Sequence, residues 1–163
     1  MIAPSKVYEA AQKMEDKNYK FRTFLKNRAD YDVLDRQFAK LHEELFAGYD
    51  CRQCANCCRN IGVALEDGEA KNIALRLGIS ENAFVEKYCT ISIDEYALKA
   101  PCQFLKENGE CAIQEFKPQN CKDYPHTNKP SRATHLLSIL SDAEECPIVF
   151  EILERLKKAY KFR

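Results

Sequence analysis

Four cysteines fall within eight residues of this chain, Cys51-Arg52-Gln53-Cys54-Ala55-Asn56-Cys57-Cys58, at the spacing C-x2-C-x2-C-C. Steps of three bend a segment around one point, so the first three thiolates can converge on a single metal centre. Iron–sulfur loops use the C-x2-C-x2-C run, and zinc knuckles use its C-x2-C part. Cys58 adjoins Cys57. In an extended segment neighbouring side chains point to opposite faces, so the pair is expected to divide its roles. One thiol would face a second centre or stay buried. Scattered buried thiols would not crowd four into eight residues.

The bulk properties narrow the setting. The chain has 163 residues, with 25 basic and 25 acidic side chains. That balance lacks the basic footprint of a nucleic-acid binder. No apolar run approaches the roughly 20 residues of a membrane span. Met1–Lys6 leads into charged helical sequence and not an apolar signal core, so the expected location is cytoplasmic. In a reducing compartment nine cysteines point to metal or redox chemistry before disulfides.

Periodicity supplies the frame. Val7, Ala11, Met14, Phe21 and Leu25 mark an amphipathic helix over 5–27, with Asn18 the one polar residue in its stripe. Ser5 is the expected N-cap. A second stripe, Leu34, Phe38, Leu41 and Leu45, stops at Gly48. The pair resembles an antiparallel helical hairpin. After the cysteine segment, Ile61, Val63 and Leu65 form an extended stretch. Asp67 is expected to cap a helix ending at Gly78, and Ser80 opens another that ends at Cys89. The joint Leu77-Gly78-Ile79-Ser80 has a helix-turn-helix outline but no basic second helix, which excludes DNA reading. Residues 90–100 read as extended.

Asn108-Gly109 between two short runs signals a β-hairpin, with Cys102 and Cys111 on its arms. Pro118 begins a single helical turn that carries Cys121, and Pro125 ends it. Leu136–Leu140 is a short apolar element. Cys146-Pro147 opens a last helix with Ile148, Ile152, Leu156 and Ala159 on one face; acidic residues come early and lysines late, as the helix dipole prefers. The fold expected is mainly α with a small β-hairpin: helical arms around an irregular cysteine-rich metal-binding core. Its parts are an N-terminal helical hairpin (1–48), the cysteine-cluster core (49–147) and a C-terminal helix (148–163) on the same domain.

The separated blocks also resemble a known family. They are Cys51-x2-Cys54-x2-Cys57-Cys58, Pro101-Cys102-x-Phe104-Leu105, Gly109-x-Cys111-x-Ile113, Lys117-Pro118-x2-Cys121-x2-Tyr124-Pro125, and Cys146. In this order they resemble the YkgJ-like CxxCxxCC cysteine-cluster family of zinc- or iron-chelating proteins, over about residues 49–147. Lys117 stands for the family's Arg, Tyr124 for its Phe, and Gln114 for its aromatic. The resemblance implies eight metal ligands: Cys51, Cys54, Cys57, Cys58, Cys102, Cys111, Cys121 and Cys146. Eight divides into two four-thiolate sites.

An all-sulfur set suits a 4Fe–4S cluster or Zn2+ and argues against hard cations. Cys146-Pro147 is similar to the Cys-Pro that ends bacterial ferredoxin runs, which favours iron–sulfur slightly over zinc. Cys89 lies outside the pattern and reads as a buried thiol. His42 is expected on a helix surface, and His135 has no ligand spacing. His126, near Cys121, is an outer group or an alternative ligand.

Three functions fit. The first is a metal-binding protein of unassigned reaction. The second is a structural zinc module that binds a protein partner through its helical arms. The third is an iron–sulfur enzyme or electron- or methyl-transfer component, because a related domain occurs in flagellin lysine-N-methylase.

Overall fold

The structure is a computed structural model that describes residues 1–93 and 95–163; position 94, within the stretch expected to be extended, lies outside the described residues. In chain order the helices are α1 (Val7–Lys13), α2 (Glu15–Arg28), α3 (Tyr31–Phe46), α4 (Cys51–Cys54) and α5 (Asn56–Asn60). Strand β1 (Val63–Ala64) precedes α6 (Glu69–Leu77) and α7 (Glu81–Tyr88). Strands β2 (Cys89–Ser92) and β3 (Glu95–Leu98) follow, then α8 (Gln119–Asp123), α9 (Leu136–Glu145) and α10 (Pro147–Ala159). The architecture is mainly α with a small sheet, as the periodicity predicts.

Two compact units form. One joins Met1–Asp50 with Pro125–Arg163, and the other is Cys51–Tyr124. The first is helical. Its long first stripe is interrupted at Met14, whose φ/ψ of −101°/1° separates α1 from α2. Ser5, expected as a cap, instead lies inside a 3-10 turn, Pro4–Lys6, because Pro4 fixes the chain one residue earlier. No glycine or proline parts α2 from α3. Asp30 does so, its carboxylate accepting from Val33 N at 2.9 Å and capping α3.

The principal partners of these helices are far along the chain: α1 packs on α9 and α3 on α10. Val7, Phe21, Leu25, Leu34, Phe38, Ile139, Ile148, Ile152 and Leu156 are buried there. Phe21, Phe24, Tyr160 and Phe162 close one end as an aromatic cluster.

Polar ties fix the loops of this unit. Ser131 N and Arg132 N donate to the Asp35 carboxylate at 2.6 and 2.7 Å. His42 is not a surface group as expected. It is half-buried, with Nδ1 2.8 Å from Thr127 Oγ1 and its ring 4.5 Å from that of Phe46. His135 is exposed and bonded to its own turn. On α9, burial first, and then the Glu15 and Glu145 carboxylates, hold the Glu144 carboxyl above its ordinary range.

The second unit has a core of its own. Ala70, Ile73, Ala74, Phe84, Val85, Leu98, Phe104 and Ile113 pack together, and Cys89 is buried among them at 4% exposure. The sheet order is β1-β3-β2, all antiparallel, with Val63 opposite Leu98 and Ile91 opposite Tyr96. Gly68, not Asp67, occupies the N-cap of α6 in the left-handed region, and Glu69 reaches back to accept from Glu66 N. Ser80 caps α7 as expected, through Ala83 N. Among the described residues no helix is long and apolar enough to cross a membrane.

Candidate metal centre

The cysteine segment is helical, not extended. α4 carries Cys51 and Cys54 three residues apart on one face. Ala55 then turns the chain with φ 50°, in the left-handed region, and α5 carries Cys57 and Cys58. Ala55 holds this conformation without being a glycine, at a cost of about 1–2 kcal/mol. It is buried, and its N donates to Cys51 O at 2.8 Å. Arg59 ties the two turns by donating from Nη1 to Cys54 O at 2.8 Å.

The expectation that Cys57 and Cys58 point to opposite faces rested on an extended chain and is corrected on that point. Neighbours on a helix diverge by about 100°, and the Cys57 side chain hydrogen-bonds to Cys58.

The other blocks are folded against this segment. Cys102 N donates to Cys58 O at 2.7 Å, which fixes the Pro101-Cys102 block beside α5. The Asn108-Gly109 hairpin is present in reduced form, as a single antiparallel bridge between Leu105 and Cys111. Lys106 N bonds Glu110 O, and Ala112 N bonds Phe104 O, both at 2.8 Å. Its tip lies on α4: a Cβ at Gly109 would stand 2.1 Å from Arg52 O. α8 presents Cys121. Gln119 N donates to Glu69 at 2.7 Å and Asn120 Nδ2 to Ala64 O at 2.9 Å, so α8 is tied to α6 and β1.

Four thiols from three separated segments are thereby brought within electrostatic reach of one another: Cys58, Cys102, Cys111 and Cys121. They are not equivalent. The Cys57 hydrogen bond, with the Lys117 and Arg59 charges, outweighs burial and lowers the Cys58 thiol to about 6. Burial first, then the negative charge of Cys58, Cys102 and Cys111, pushes Cys121 up to about 12. Burial likewise raises Cys102. A thiolate cluster without a cation thus carries its charge at Cys58 and resists further ionisation. A soft cation would lift that resistance, so the donor chemistry fits zinc or iron. Among the described residues, no group of three or more His, Cys, Asp or Glu side chains is already arranged to hold an ion.

The remaining sequence candidates are placed as follows. Cys51 is exposed, and Cys54 and Cys57 are partly buried on the same segment. Cys146 is buried at the joint of α9 and α10, in the helical unit. His126 also belongs to the helical unit. Cys89 is in the sheet core. Sequence reasoning missed Arg59 and Lys117 as charges acting on Cys58. For Lys117 a signal existed, since it opens the Lys-Pro-x2-Cys block where the resembled family carries a cation.

The CxxCxxCC family model, described as a "putative zinc- or iron-chelating domain", matches residues 50–147, more than half of the chain. No curated protein and no solved structure matches the chain.

Proposed function

The chain belongs to the CxxCxxCC family, and from that membership we propose that it is a metal-binding protein whose centre is built from cysteine thiolates. The observation that carries this reading is the meeting of Cys58, Cys102, Cys111 and Cys121 from three segments of one unit. Cys51, Cys54 and Cys57, carried on the consecutive turns α4 and α5, the second of which also holds Cys58, make up the rest of the proposed local ligand set. Cys146 is the eighth ligand by the order of the sequence blocks alone.

The metal we favour is iron, as a 4Fe–4S cluster, on the strength of the C-x2-C-x2-C run and the Cys146-Pro147 pair. When bound, such a cluster supplies electron storage or a structural cross-link. Zinc is the second reading, because a structural zinc site needs nothing more than four thiolates. The chain's own residues gather the thiols, lower one of them and offset their charge with Arg59 and Lys117.

Metal analysis of protein purified without air tests the reading. Iron and sulfide with a broad visible absorbance band are expected; colourless protein with zinc would select the second reading. Cys54→Ser, Cys111→Ser and Cys121→Ser should each lose metal while Cys89→Ser keeps it. Cys57→Ser and Cys58→Ser should deplete different fractions of it. Retention of full metal by Cys111→Ser and Cys121→Ser would overturn the centre, and loss in Cys146→Ser would support the eighth ligand.

A further inference from the structure

Asn18 interrupts an otherwise apolar helical stripe, and the fold buries it. The residue is 5% exposed, and its Oδ1 has no hydrogen-bond partner among the described residues. A buried amide oxygen without a donor is a standing cost that native structures ordinarily remove. Asn18 lines a crevice between α2 and α9, within the helical unit, whose interior measures about 20 Å³. One water-sized particle needs about 10–15 Å³, so the space admits a single small occupant.

The walls are made of two matched pairs. Glu15 and Asn18 stand three residues apart on α2, and Ser141 and Glu144 three apart on α9. That spacing sets each pair on one helix face. Ala11 and Leu140 are the buried apolar residues of the lining, and Tyr19 completes it. No Lys or Arg lines the crevice among the described residues. A water could donate to Asn18, but it would leave Glu15 and Glu144 facing each other uncompensated. A cation meets both demands. Every polar side chain present offers oxygen, the donor set of hard divalent ions and not of zinc or iron clusters.

We propose that this crevice binds one divalent, oxygen-seeking cation, of the calcium or magnesium type, through Glu15, Glu144 and the buried Asn18 Oδ1. The site is independent of the thiolate centre in both residues and chemistry.

Terbium is a suitable probe, because Tyr19 in the wall can sensitise its luminescence. Titrating Tb3+ into the full chain should give saturable tyrosine-excited emission, displaced by Ca2+ or Mg2+. Glu15→Gln and Glu144→Gln should each weaken binding by about tenfold or more, since affinity at oxygen sites follows ligand charge. Glu145→Gln, beside the crevice but not in its lining, should bind as the native chain does. Tyr19→Phe should lose the emission yet keep Ca2+ binding by calorimetry. Asn18→Leu extends the apolar stripe, so it should fold and lose the cation even where a glutamine variant does not fold. The proposal is overturned by absence of saturable emission at millimolar probe. It is equally overturned by native binding in Asn18→Leu, or by equal losses in Glu145→Gln and Glu144→Gln. Loss of emission on blocking the cysteines would place the probe among the thiols and also reject the site.

Discussion

Cys58 and Cys121 are the same residue type in one cluster, yet they sit at opposite ends of the thiol range. Cys58, lowered to about 6, is a thiolate at neutral pH; Cys121, raised to about 12, is not. Thiolates, not thiols, are the nucleophiles in alkylation. In metal-free protein at pH 7, iodoacetamide should therefore label Cys58 first and Cys121 last of the four, read by peptide mass spectrometry at short times. Bound metal should protect both. Equal labelling of the two would remove the electrostatic picture of the cluster. The cysteines were legible in the sequence because spacing alone singles them out. Their inequality was not, because it depends on burial and on Arg59 and Lys117 arriving from the folded chain.

Helices with long stripes were legible as elements: α3, α6, α7 and α10 follow the period of their apolar residues and the capping chemistry of Ser80 and Gly78. Short elements were not. Nothing in Cys51–Asn60 announces two helical turns, because the pivot is Ala55 where a left-handed residue is normally Gly or Asn. The β2–β3 hairpin was read only as extended chain, since Ile91 is largely exposed and blurs the alternation that marks a half-buried strand. The hairpin tip at Gly109 gives the sharpest test at this scale. Gly109 and Gly68 both have positive φ, 83° and 78°, but only Gly109 abuts backbone. Gly68→Ala should cost about 1–2 kcal/mol, the left-handed penalty alone. Gly109→Ala should cost about 3 kcal/mol or more, because Arg52 or the tip has to move. Urea denaturation of both variants in the same metal state compares them. Similar midpoints would mean that the tip yields freely.

For the molecule as a whole, the two units predict an uneven response to chelation. The cysteine unit has its own apolar core in α6, α7 and the sheet, so metal removal should not unfold it outright. It should loosen the segments that converge on the thiols. Hydrogen exchange after anaerobic chelation should rise about tenfold or more in Cys51–Asn60 and Cys102–Asp123, with α6 and the helical unit nearly unchanged. Unaltered exchange around Cys102–Asp123 would sink this expectation. The helical unit is assembled from the two ends of the chain, whereas the cysteine unit is continuous. Protein synthesis proceeds from the N-terminus, so the ribosome delivers all of Cys51–Tyr124 before α9 and α10 exist. The seven proposed ligands of that unit can therefore be gathered while α1 and α3 still lack the helices that cover them. Until translation passes the last turn of α10, the nascent chain carries seven of the eight proposed ligands in one unit and an uncovered apolar surface on α1 and α3, the state in which a holding chaperone has most to grip.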